Sequence, residues 1–198
     1  NTSGISLRDM IAHVSETLQQ HFLGTHFFNP PRYMKLLEII PGPLTKPEII
    51  QGMTAFAERK LGKGVVIAKD TPNFIANRIG TYGLLVTMHE MLRAGLTIDE
   101  VDAVTGPAMG RPKSATFRTL DLVGLDTFVH VAGNVQARAD TDAERARFTV
   151  PSVLADMVKR GWTGEKSSRG FYRKGKEEHG RKILCLNRAQ MEYGRADT

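Results

Sequence analysis

The spacing of apolar and polar residues changes several times along the chain, and each change marks an element. Leu7, Met10, Ile11, Val14 and Leu18 recur at helical spacing, which predicts one amphipathic helix over residues 7–20 with Ser6 as its cap. Thr25 to Phe28 favour a strand that must stop at Pro30-Pro31. Leu36, Leu37, Ile39 and Ile40 form a second apolar run, interrupted only by Glu38. Thr45-Lys46-Pro47-Glu48 has the form of a capping box, and the helix it opens runs to about residue 60. Ile49, Ile50, Met53, Phe56, Ala57 and Leu61 are its expected buried stripe. Gly62 ends it, and residues 65–68 make a short β-branched strand.

After Asp70-Thr71-Pro72 the pattern turns helical. A long helix is predicted over residues 73–93, capped by Asp70 or Thr71. Its apolar residues, among them Phe74, Ile79, Tyr82, Leu85, Val86 and Met88, lie nearly all round it, which predicts burial on several sides. Thr97-Ile98-Asp99-Glu100 is a second capping box, opening a helix to about residue 105. Residues 106–112 are rich in Gly and Pro and form a loop. Two helices follow over 114–123 and 126–137, around Gly124. Residues 139–148 are polar and read as a linker or insertion. Another helix covers 151–160, and residues 171–173 and 183–186 pair as a hairpin. The expected fold is mainly α, with an α/β segment over residues 1–69 and a helical domain with a terminal hairpin over 70–198.

The chain has 198 residues, enough for one large or two small domains. Hydrophobic content of 41% and charged content of 24% are ordinary for a soluble globular protein. No apolar run reaches the ~20 residues of a membrane span, and no basic-then-apolar leader is present. The single cysteine, Cys185, excludes an internal disulfide and a cysteine cluster for zinc. No metal site is expected, and the expected home is cytoplasmic. Cys185 lies among Ile183, Leu184 and Leu186, so it reads as core. The net charge of +6 is concentrated between Lys159 and Lys182, where nine Lys and Arg face only Glu165, Glu177 and Glu178. Such a stretch is either a solvated basic turn or a surface that attracts a polyphosphate. Nucleic acid would match the charge, but no nucleic-acid-binding module accompanies it.

Candidate chemistry centres on residues 24–40. A turn between the two strands can bring Glu38 beside His26, twelve residues earlier in the chain. A carboxylate beside an imidazole fixes its tautomer and stabilises the imidazolium, which is how a general base is built. The same spacing also fits a half-exposed His and a strand-edge Glu that never meet. Asn29, before Pro30, suits an Asx turn. Asn77 is either an interhelical or surface Asn, or a polar group offered at the start of its helix. Ser3 reads as a turn or cap residue, and Lys166 as one of the nine basic residues. Met88, Met91 and Met109 read as core fillers.

The segment GTHFFNPPRYMKLLEII, residues 24–40, resembles the catalytic segment of the L-3-hydroxyacyl-CoA dehydrogenases of fatty-acid β-oxidation. Three further stretches match in the family's order: Asn1-Thr2-Ser3; residues 70–78, DTPNFIANR; and residues 164–172, GEKSSRGFY. The resemblance implies a helical domain of the 3-hydroxyacyl-CoA dehydrogenase / 6-phosphogluconate dehydrogenase-like type, preceded by the closing α/β part of a Rossmann-type domain. It implies NAD as cofactor and an acyl-CoA as substrate, with a homodimer formed through the helical domain. His26 would be the catalytic base and Glu38 its partner. Asn77 would be catalytic and substrate-binding, Ser3 would meet both substrate and cofactor, and Asn29 and Lys166 would meet the cofactor. Two positions depart from the family pattern. Asn73 stands for the usual Gly, and Asn tolerates the left-handed conformation best among other residues. Residues 113–117 replace a usual Gly-Pro-Phe, which implies altered acyl-chain packing. No Gly-rich dinucleotide loop follows an N-terminal strand, so the chain is expected to be part of a longer enzyme. A non-catalytic dimerisation or interaction fragment is the competing reading.

Overall fold

The computed structural model describes residues 3–139, 141–177 and 180–195. The chain forms two compact units, Asn1–Ile79 and Gly80–Thr198.

In the first unit the predicted N-terminal helix is two short ones, α1 (Leu7–Met10) and α2 (Glu16–Gln20). Ser15 breaks the run, because its hydroxyl accepts the Leu18 amide and starts α2 afresh. Leu7 and Ile11 are buried, whereas Met10 and Leu18 are exposed. Ser6 does not cap α1 with its side chain. Asp70 takes that place from afar, accepting from the Ser6 hydroxyl at 2.6 Å and the Arg8 amide at 3.1 Å. Burial opposes the charge on Asp70, but these donors together hold it below the usual carboxylate range.

Strand β1 (Leu23–Phe27) pairs antiparallel with β2 (Leu36–Pro41), and β2 pairs parallel with β3 (Gly64–Ile67). β2 is central in this sheet and is covered on both faces. Leu37 and Ile39 pack with Ala57 of α3 (Pro47–Leu61), while Ile40 packs with Leu7, Ala68 and Phe74. That is why β2 reads as a nearly continuous apolar run. The expected Thr45 capping box does not form. Thr45 instead donates to the Phe22 carbonyl and accepts from the Gly42 amide, so α3 starts at Pro47 without a side-chain cap. Only part of its predicted stripe is buried, for Phe56 and Leu61 are exposed.

The long helix α4 (Ala76–Ala94) starts three residues later than predicted, and neither Asp70 nor Thr71 caps it. Asn73 and Phe74 adopt φ of 59° and 55°, so the chain is in the left-handed region where a helical start was expected. Asn73 therefore supports the turn that Gly would otherwise make. Ile79, Tyr82 and Val86 are exposed, so α4 is not buried all round.

The second unit continues from α4 into α5 (Ile98–Thr105), α6 (Phe117–Val123), α7 (Leu125–Ala137), α8 (Asp142–Arg147) and α9 (Ser152–Lys159). The predicted capping box on α5 is present: Thr97 accepts the Glu100 amide and Glu100 accepts the Thr97 amide. α6 begins at Phe117 rather than Ser114, because Asp102 of α5 gathers the Thr116, Phe117 and Arg118 amides. The stretch read as a linker contains α8, capped by Thr141 and anchored by buried Phe148. Met88 and Met91 fill the core as expected, while Met109 is exposed.

The predicted hairpin is present as β4 (Tyr172–Glu177) and β5 (Gly180–Asn187), and a third strand, β6 (Glu192–Arg195), joins it. Two carboxylates tie this sheet to the helices. Asp121 accepts the Phe171 and Tyr172 amides, both at 2.8 Å, and Asp102 accepts the Tyr172 hydroxyl at 2.9 Å. Burial pushes Asp121 up to about 6 despite these bonds. Cys185 is buried against Asp99, and its thiol is pushed up to about 12 by burial and that charge, as befits a core residue.

Candidate functional site

The antiparallel register sets His26 directly opposite Glu38, so their side chains share one face of the sheet. His26 Nδ1 lies 2.6 Å from Glu38 Oε2, with both residues almost fully buried. The second oxygen, Oε1, accepts the Ile75 amide at 3.0 Å and the Ala76 amide at 2.8 Å. These amides stand at the start of α4, where a helix leaves its first N–H groups unpaired. One carboxylate from β2 therefore orients an imidazole and caps a helix.

The arrangement assigns the imidazole tautomer. A carboxylate that accepts on both oxygens leaves Nδ1 as the donor, which puts the lone pair of a neutral ring on Nε2. Nε2 has no hydrogen-bond partner among the described residues. Phe28 and Phe74 meet the ring edge-on, with centroids 4.6 Å and 5.4 Å away. Phe74 reaches this position through the left-handed turn at Asn73, whose amide is tied to the Ser3 carbonyl at 2.9 Å. A clamped, apolar-walled imidazole with one open nitrogen can accept a proton from a hydroxyl placed against it.

The other predicted residues fall as follows. Ser3 is half-buried and held by its backbone. Asn29 is exposed just beyond β1. Asn77 is half-buried, one residue after Ala76, and its side chain has no hydrogen-bond partner among the described residues. All of these lie in the first unit. Lys166 lies in the second, where its Nζ pairs with Asp126 at 2.6 Å. That pair is largely exposed, so it holds the lysine weakly. Sequence reasoning missed the flanking role of Phe28 and Phe74 and the two amides on Glu38. The Pro-Asn pair at 72–73, a turn signal, is the one clue that the helix begins later. A cleft of about 870 Å³ near Ser6, Gly42 and Asp70 does not include His26 or Glu38.

Residues 1–71 match the model of the "3-hydroxyacyl-CoA dehydrogenase, NAD binding domain", and residues 74–174 that of the "3-hydroxyacyl-CoA dehydrogenase, C-terminal domain". The chain belongs to the 3-hydroxyacyl-CoA dehydrogenase family. It thus combines a Rossmann-like NAD-binding part with the helical C-terminal domain of an oxidoreductase family whose cofactor is NAD. It is 60% identical over 194 residues to a probable 3-hydroxyacyl-CoA dehydrogenase of Bacillus subtilis, covering 98% of this chain and 24% of that protein. A probable 3-hydroxyacyl-CoA dehydrogenase of Deinococcus radiodurans is 49% identical, over 91% of this chain and 51% of its own length. Among solved structures, FadB2 of M. tuberculosis superposes with a TM-score of 0.78 at 30% identity, over 88% of this chain and 59% of that one. The chain therefore spans about a quarter and about half of the two curated relatives. No helix among the described residues is long and apolar enough to cross a membrane.

Proposed function

We propose that this 3-hydroxyacyl-CoA dehydrogenase family chain carries the catalytic base for NAD-dependent oxidation of (S)-3-hydroxyacyl-CoA to 3-oxoacyl-CoA in fatty-acid β-oxidation. The observation that carries the reading is the buried His26–Glu38 pair with Nε2 open. His26 Nε2 takes the proton of the 3-hydroxyl, and Glu38 holds the imidazolium that results. NAD, when bound, supplies the hydride acceptor for C3. The donor set fits such a ligand: the exposed Asn29 carboxamide offers both a donor and an acceptor to a nicotinamide amide. Ser3 adds a hydroxyl toward cofactor and substrate. Asn77, at the start of α4 and without a side-chain hydrogen-bond partner among the described residues, receives the thioester oxygen. Lys166 contacts the cofactor once it leaves Asp126. Positioning of this kind supplies much of the rate.

A homodimer through the helical domain is part of this reading. Its support is the face of α4 that carries Ile79, Tyr82 and Val86, which are 67%, 40% and 37% exposed at helical spacing. The test of function is His26→Ala in the full-length protein, with acetoacetyl-CoA reduction by NADH as the assay. Turnover should fall at least ~10²-fold with folding and CoA-ester binding kept. Turnover close to that of the unsubstituted protein would reduce the His26–Glu38 pair to a structural role.

A further inference from the structure

Five side chains of the second unit form one alternating row. The Arg160 and Arg169 guanidiniums lie 5.5 Å and 5.2 Å from the centre of the Trp162 ring. Arg169 also lies 6.0 Å from the Tyr193 ring, and Arg173 lies 4.8 Å from it. The two rings are 5.5 Å apart and tilted by 50°. Each member stands on fixed backbone. Arg160 closes α9, the Trp162 amide bonds the Met157 carbonyl, Arg169 bridges to Gly164, Arg173 is on β4 and Tyr193 on β6. The Tyr193 hydroxyl donates to the Gly170 carbonyl at 2.6 Å and pins its ring.

No carboxylate among the described residues pairs with the charge of this row. Three lysines of the same basic stretch have a carboxylate partner: Lys159 has Asp156, Lys166 has Asp126 and Lys174 has Glu165. Arg160, Arg169 and Arg173 form no ion pair and no side-chain hydrogen bond among the described residues. A guanidinium stacked on a ring covers its plane and leaves its edge N–H groups open. Three guanidiniums held along one row give it a positive potential that attracts an anion. Planar, pre-oriented guanidiniums suit phosphate in particular, which they bind in bidentate fashion.

We propose that the stack of Arg160, Trp162, Arg169, Tyr193 and Arg173 is a binding site for a phosphate-bearing anion, either a pyrophosphate or a phosphomonoester. The site goes beyond the dehydrogenase reading and does not depend on it. Coenzyme A carries both groups, and free pyrophosphate presents the same chemistry.

Trp162 is the only tryptophan, so its fluorescence reports on the stack directly. The whole chain is titrated at constant ionic strength with pyrophosphate, coenzyme A and dephospho-coenzyme A. A saturable change is expected, with affinity at least ~10-fold weaker in Arg169→Gln and also weakened in Arg169→Lys, which keeps charge but not the planar fork. Circular dichroism checks that the variants fold, and Arg160→Gln gives a second, independent removal of one guanidinium. Tighter binding of coenzyme A than of dephospho-coenzyme A assigns the site to the monoester. Equal binding of all three assigns it to pyrophosphate. Either result supports the proposal. It is overturned by a response no different from that to acetate, or by affinities unchanged in both Gln variants. Much tighter binding of a single-stranded oligonucleotide also overturns it, in favour of a nucleic-acid surface.

Discussion

Glu38 joins His26 to the start of α4: one oxygen meets His26 Nδ1 at 2.6 Å while the other takes the Ile75 and Ala76 amides. The orientation of the base and the capping of the first amides of the helix thus depend on a single carboxylate. Substitution Glu38→Gln keeps the volume but turns half of the acceptor into a donor facing N–H groups. We expect a loss of about 1–3 kcal/mol in stability, read by urea unfolding, because buried donors lose their acceptor. Turnover should fall by ~10² or more, since the tautomer is no longer enforced. A Gln variant as stable and active as the unsubstituted protein would mean that the pair matters to neither.

Asp121 makes the second unit sensitive to pH. Its folded value of about 6 lies above the ordinary 3.8 because of burial, so the folded state holds this proton more tightly. Its contribution is full below the ordinary value and is lost as pH rises through about 6. Asp121→Asn cannot titrate and serves as the reference. Between pH 7.5 and pH 5 the stability difference should move in favour of the unsubstituted protein by about 1 kcal/mol. Denaturant midpoints of both proteins at the two pH values measure this, and a gap that does not change with pH would contradict it.

Gly170 and Gly164 allow the β4 sheet to close on Asp121. A Cβ on either would collide with Asp121, at its carboxylate for Gly170 and at its carbonyl for Gly164, and Gly164 also has φ of 98°. Gly170→Ala should therefore cost about 3 kcal/mol, at the upper end of overpacking penalties. Thermal unfolding checks it. A change below about 0.5 kcal/mol, the range of ordinary surface substitutions, would show that the carboxylate moves aside without cost.

The exposed face of α4 is the basis for a dimer. Placing a charge there, as in Tyr82→Glu, should turn a dimer into a monomer while the helical content stays constant. Light scattering and circular dichroism together decide this. A monomeric unsubstituted protein would remove the dimer from the proposal.

Much of the first unit was legible from local pattern. The apolar run around Glu38, the prolines after His26 and the Gly62 stop follow from backbone sterics and alternation, and these place His26 opposite Glu38. The Thr97–Glu100 capping box was equally plain, because its partners lie within one turn. The buried Cys185 followed from its apolar neighbours. What local pattern cannot carry is competition between a nearby hydrogen-bond partner and a distant one. Thr45 offered a local cap but bonds Phe22, Asp70 looked like the cap of α4 but serves α1, and the cap of α4 comes from Glu38. β6 needed β5 already in place, since four residues make no strand alone. The row of arginines and aromatics brings together residues from the C-terminal cap of α9, two loops and two strands. Their spacing in the chain has no period, so only the folded packing of these elements could assemble it.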